Sequence, residues 1–70
     1  MKVYKVTGRV PYGTALAIVA ANNPRQAEKT IKQEDDTWIK FIANVNATCL
    51  RGVSSTATRA KVLTQSVYIE

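Results

Sequence analysis

Seven consecutive apolar residues, Ala15-Leu16-Ala17-Ile18-Val19-Ala20-Ala21, run directly into Asn22-Asn23-Pro24. This junction restricts the fold more than any other stretch of the chain. The run has no polar face, so periodicity alone cannot tell strand from helix. Its length and turn-like borders favour a strand covered on both faces or nearly so. Asn22-Asn23-Pro24 then marks a helix start. The Asn23 side chain can accept a bond from an unpaired amide of the first turn. Pro24 suits the first helical position, where its missing N–H costs nothing. Gln26 stands at capping-box spacing from Asn23. The pattern predicts a helix over about 24–34, with Ala27 and Ile31 as a narrow apolar stripe and Thr30 beside them. Arg25, Glu28, Lys29 and Lys32 would face water, with Glu28 and Lys32 spaced for an i,i+4 ion pair.

Residues 2–10 alternate. Tyr4, Val6, Gly8 and Val10 share one face, and Val3, Lys5, Thr7 and Arg9 the other. This is the period of a half-buried strand. A glycine on its inward face leaves space for a bulky neighbour or marks a bulge. Pro11-Tyr12-Gly13-Thr14 is turn chemistry and places the apolar run at hairpin distance. Glu34-Asp35-Asp36 reads as a solvated turn, or as a cap for a further helical turn near Thr37. Residues 37–50 fit two patterns. Ile39, Phe41, Ala43, Val45, Ala47 and Cys49 alternate as a strand face, while Trp38, Phe41, Ile42 and Val45 make a helical stripe. Asn44, Asn46 and Thr48 disfavour a long helix. The preferred reading is a short helical turn or extended lead-in at 37–42, then a strand at about 43–50. Residues 51–58 have loop composition. Residues 59–69 read as a last strand, with Val62, Leu63, Val67, Tyr68 and Ile69 apolar. The expected fold class is α+β: a two-layer sandwich in β-β-α-β-β order, with one helix packed on a mainly antiparallel sheet. Two outer hairpins would bracket the helix, in a single domain over 1–70. The pattern does not fix the strand order.

Size limits what such a fold can do. A chain of 70 residues buries roughly 60% of the surface its unfolded form exposes, so its stability is marginal. Deep ligand pockets of about 300–1,000 Å³ are hard to wall with one helix and four strands. One cysteine, Cys49, excludes an internal disulfide, which points to a reducing compartment or to stabilisation by self-association. Its place in an apolar alternation suggests an inert core thiol. Lys2, Lys5 and Arg9 ahead of the apolar run imitate a secretory leader, but cleavage there would leave too little chain for a core. No run approaches the roughly 20 residues that span a bilayer. The expectation is a cytoplasmic protein without a membrane partner.

The chemistry is sparse. With no histidine, the commonest general base and metal ligand is missing, and Cys49 has no histidine to activate it. Too few cysteines exist for a zinc site, and Glu34, Asp35 and Asp36 lack calcium-loop spacing. Gly8, Gly13 and Gly52 are too scattered for a phosphate loop. No activating partner other than lysine stands near Ser54, Ser55 or Ser66. The chain is therefore expected to be no enzyme, with no catalytic residue, cofactor or metal. Charge remains: ten Lys and Arg against five Asp and Glu, a net +5, which favours anionic partners. Lys5 and Arg9 share the outward face of the first strand, and Arg59 and Lys61 open the last. These four are the candidate contacts for an anion or nucleic acid. The expected function is a small interaction or self-assembly module, with a protein or a second copy as partner. The alternative is a small basic nucleic-acid-binding domain.

The opening Met1-Lys2-Val3-Tyr4-Lys5-Val6-Thr7-Gly8-Arg9 resembles the first strand of small archaeal ribosomal proteins of the LX type. The rest of the chain departs from that family's basic, charge-rich pattern, and no residue or function is carried over.

Overall fold

The structure, a computed structural model, describes the backbone of residues 1–69 and the side chains of residues 1–66. Its elements run β1 (Lys2–Val10), β2 (Gly13–Ala21), α1 (Pro24–Glu34), α2 (Thr37–Lys40), β3 (Ala43–Ser54) and β4 (Lys61–Ile69). The four strands form one antiparallel sheet in the order β3-β1-β2-β4, and α1 packs on one of its faces. The α+β class read from the pattern is the class observed.

The strand order follows from the apolar run. β2 buries Ala15, Ala17, Val19 and Ala21 toward the helix, while Leu16 and Ile18 are half-buried on the opposite face. Such a strand is stable only with a neighbour on each side, and β1 and β4 supply them. This corrects the expectation of a second hairpin: β3 and β4 do not pair but lie at opposite edges. With β3 paired to β1, a β3–β4 hairpin would have left β2 as an edge strand. The link must instead cross beneath two strand ends, about 14 Å at the usual strand spacing. Residues 55–60 do this, and six residues of chain reach up to about 20 Å. Ser55 and Met1 exchange backbone bonds of 2.8 Å in both directions, which anchors the crossing at the start of β1. The loop is thus shorter than the composition of 51–58 suggested, because β3 continues to Ser54.

α1 begins and ends where the sequence places it. Asn23 Oδ1 accepts from the Gln26 N–H at 2.8 Å, and Gln26 Oε1 accepts from the Asn22 N–H at 2.6 Å. Such a cap contributes about 1 kcal/mol. Ala27, Thr30 and Ile31 are its buried residues. The expected Glu28–Lys32 pair does not close; the ion pair found among the described residues joins Lys40 to Asp36 at 3.1 Å. α1 starts beside Ala21 and delivers the chain through α2 to Ala43, which lies opposite Arg9 at the other end of β1. It therefore crosses the sheet diagonally, from β2 toward β3.

α2 is a single turn that resolves the ambiguous stretch. The Thr37 N–H donates to Asp35 Oδ1 at 3.0 Å and starts the turn. Hydrogen bonds from Thr37 hold the Asp35 carboxyl below the ordinary carboxylate pKa. The turn places Trp38 and Ile42 inward, both buried, and leaves Ile39 and Phe41 exposed. Trp38 Nε1–H donates to Gln65 Oε1 of β4 at 3.1 Å, so its one polar atom is satisfied.

Gly8 forms the seat for this pair. A Cβ at position 8 would collide with Ile42 Cγ2, and would lie 3.3 Å from the Ala43 carbonyl oxygen and 3.5 Å from Trp38 Cζ3. The β1–β3 register also shifts between Thr7 and Arg9. Of the two roles expected of this glycine, space is the one it fills; the extra residue of the bulge lies in β3, where Asn44 and Val45 face Gly8. A methyl in an unobstructed strand would stabilise by removing unfolded-chain freedom, at roughly 0.5–1 kcal/mol. Here overpacking reverses the sign. Gly8→Ala is expected to lower stability by about 1–3 kcal/mol in urea unfolding. An unchanged or raised midpoint would show that Trp38 and Ile42 do not sit on Gly8.

Candidate functional site

The face of the sheet away from α1 is open. The β1–β2 register assigns Val3, Lys5, Thr7 and Arg9 to it, opposite Ala20, Ile18, Leu16 and Thr14. β3 adds Asn46 and Thr48 beside Thr7 and Lys5. β4 adds Ser66, Thr64 and Lys61 beside Leu16, Ile18 and Ala20. Val3 and Ala20 are buried even on this face, Val3 next to the β3 bulge and Ala20 next to Lys61. The rest is a half-buried aliphatic centre, Leu16 and Ile18, ringed by hydroxyls, an amide and cations.

All four candidate residues are exposed. Lys5, Arg9 and Lys61 share the open face. Lys61 is two strands from Lys5 and two residues along, a backbone separation of about 12 Å at standard sheet dimensions. Arg9 lies at the opposite corner from Lys61, about 22 Å away by the same spacings. Arg59 is not a strand residue; it sits in the bend before β4, so the alternation of strand faces does not place it. It joins Lys61 instead by lining an open concavity of about 470 Å³ with Ser55, Thr56, Thr58 and Leu63. A second concavity, at the β1–β2 turn, brings together Arg9, Tyr12 and Thr14. Tyr12 is 77% exposed there.

The strongest signal is one that scanning for motifs missed. Glu28, Glu34, Asp35 and Asp36 all belong to α1 and the turn after it, where Arg25, Lys29, Lys32 and Lys40 balance them. Residues 1–27 and 37–69 contain no carboxylate side chain, and the strands and their loops hold Lys2, Lys5, Arg9, Arg51, Arg59 and Lys61. The helical layer is neutral, and the sheet layer carries the protein's positive charge. Positions of the acids along the chain would have revealed this once the layers were known.

Cys49 corrects another expectation. It is exposed, not a core thiol. It lies in the helix-facing row, opposite Tyr4, but on an edge strand. At that level the diagonal α1 still sits toward β2, so the end of β3 is uncovered. No group of three or more His, Cys, Asp or Glu able to hold a metal occurs among the described residues. No described helix is long and apolar enough to cross a membrane.

No protein-family model, no curated protein and no solved structure matches this chain. The short resemblance at Met1–Arg9 therefore gains no support from these comparisons, and the surface itself is the guide to function.

The exposure of Cys49 has a direct consequence. In native conditions its thiol should react with a disulfide reagent about as fast as in denaturant, since access and thiolate fraction govern the rate. A strongly protected thiol would contradict the diagonal placement of α1.

Proposed function

We propose that this protein is a non-enzymatic binding module whose working surface is the open sheet face, and that its partner there is anionic. The observation that carries this reading is the charge division between the layers: six cations and no carboxylate among the described strands and strand loops, with Lys5, Arg9 and Lys61 on the open face, against a balanced helical layer. A surface of one sign attracts the opposite sign and repels its own. Two copies meeting through this face would bring cations against cations, which disfavours self-association there.

The matched experiment uses two quadruple variants that remove the same amount of charge. One replaces Lys5, Arg9, Arg59 and Lys61 by Gln; the other replaces Arg25, Lys29, Lys32 and Lys40 by Gln. Both should retain the native circular dichroism spectrum. On immobilised heparin, the sheet variant should elute at clearly lower salt than the helix variant. Equal elution would show that net charge alone governs retention, and would remove the open face as the working surface.

A second reading, self-association, is favoured by β4. It is an edge strand, and from Thr64 to Ile69 its pairing with β2 is regular while its other side is unpaired. Such edges recruit strands. Sedimentation equilibrium checks this: a dimer that survives high salt supports it, and a monomer at high micromolar concentration removes it.

A further inference from the structure

Resting on that reading, we propose that the anionic partner of the open face is single-stranded nucleic acid, held through its sugar–phosphate backbone. The uncharged polar residues of the face decide between polyanions. Thr7, Thr14, Asn46, Thr48, Thr64 and Ser66 present hydroxyls and an amide around Lys5, Arg9 and Lys61. Hydroxyls, amides and cations together are the set that contacts phosphate oxygens and sugars. Nucleic-acid interfaces are also more polar and far more positive than protein interfaces. A surface built for a protein partner would carry aromatic residues and Met in its centre. This centre holds Leu16 and Ile18, both already half covered.

The cations define a track. It runs from Arg9 at one corner, past Lys5, to Lys61 and Arg59 at the opposite corner, over about 22 Å of sheet. At its far end the hydroxyl-lined concavity of Ser55, Thr56 and Thr58 continues the same chemistry. At its near end, Tyr12 projects from the hairpin tip beside Arg9 and Thr14. An exposed ring next to a cation is where an unpaired base stacks. Leu16 and Ile18 offer further apolar contact to base faces. In a duplex those faces are stacked inside, and neither Tyr12 nor the aliphatic centre could reach them. This distinguishes single from double strands. With one stacking residue and no set of base-edge readers on the track, binding is tolerant of sequence.

The test is fluorescence anisotropy with three probes: a short labelled oligo(dT), a duplex of the same length, and poly-glutamate. Oligo(dT) should bind most tightly. Its affinity should fall with a log–log salt slope between about −2 and −3, as three or four neutralised phosphates of a single strand require. Raising salt from 50 to 200 mM would then weaken binding roughly 20- to 50-fold. Replacing Lys5, Arg9, Arg59 and Lys61 by Gln should abolish it, and Tyr12→Ala should weaken it several-fold at unchanged slope. A duplex bound as tightly as oligo(dT), or no loss in Tyr12→Ala, overturns the single-strand assignment. Poly-glutamate bound as well as oligo(dT) overturns nucleic acid while leaving the anion-binding face intact. Failure of every probe at low salt removes both.

Discussion

The seating of Ile42 and Trp38 on the sheet at Gly8 is the constraint on which the rest of the structure depends. Seventy residues provide one small core, and Trp38 is its largest side chain. It reaches the sheet from a helix of one turn, which is too short to be stable alone. Its place is fixed from three sides. Asp35 starts the turn, Gly8 gives Ile42 the room to pack beside the ring, and Gln65 satisfies the indole N–H from the far edge strand. One side chain therefore ties α2, β1 and β4 together. The floor around it is built of small residues: Gly8 pairs with Ala15, and Ala17 pairs with Val6. A bulky ring fits over glycine and alanine because close-packed interiors match large side chains with small ones.

Strand order and charge distribution meet in one further demand. β2 is apolar on both faces and must be central, so the chain after β3 crosses to the far side of the sheet. The crossing sets β3 and β4 at opposite edges, and the face away from α1 carries no helix, with Val3 and Ala20 buried at one end of it. The acidic residues are confined to the covering layer, where nearby lysines and arginines balance them. The uncovered face keeps only hydroxyl, amide, aliphatic and cationic groups among its described residues. The need of β2 for two neighbours thus shapes the surface that supports the proposed binding role.

Much of the fold was legible in the sequence because local signals agreed with it. Alternation located β1, the Asn-Asn-Pro junction located α1, and the run at 15–21 read as a strand, although its second face is only half-buried rather than covered. The short turn at Trp38 was visible as one of two competing periodicities. What was not legible was long-range. Whether β4 pairs with β3 or β2 depends on which strand most needs a neighbour, a comparison that local patterns do not make. Cys49 looked like a core residue because alternation identifies a face but not whether a helix covers that end of it. Arg59 was expected to open β4, yet it sits in the crossing, which neither its spacing from Lys61 nor its neighbours announced. For the same reason, Lys5, Arg9 and Lys61 could be named one by one, but their sharing a face awaited the strand order. The side chains of Val67, Tyr68 and Ile69, read as apolar members of the last strand, lie outside the described residues.

The most direct measurement of the central claim is an NMR titration of the ¹⁵N-labelled protein with a short oligo(dT) at low salt. Binding along the open face predicts amide shift changes at Lys5, Thr7, Arg9, Tyr12, Thr48, Lys61 and Thr64, with α1 and α2 unmoved. Changes concentrated at Arg25, Lys29, Lys32 and Lys40, with the open face silent, would place binding on the helical layer and contradict it.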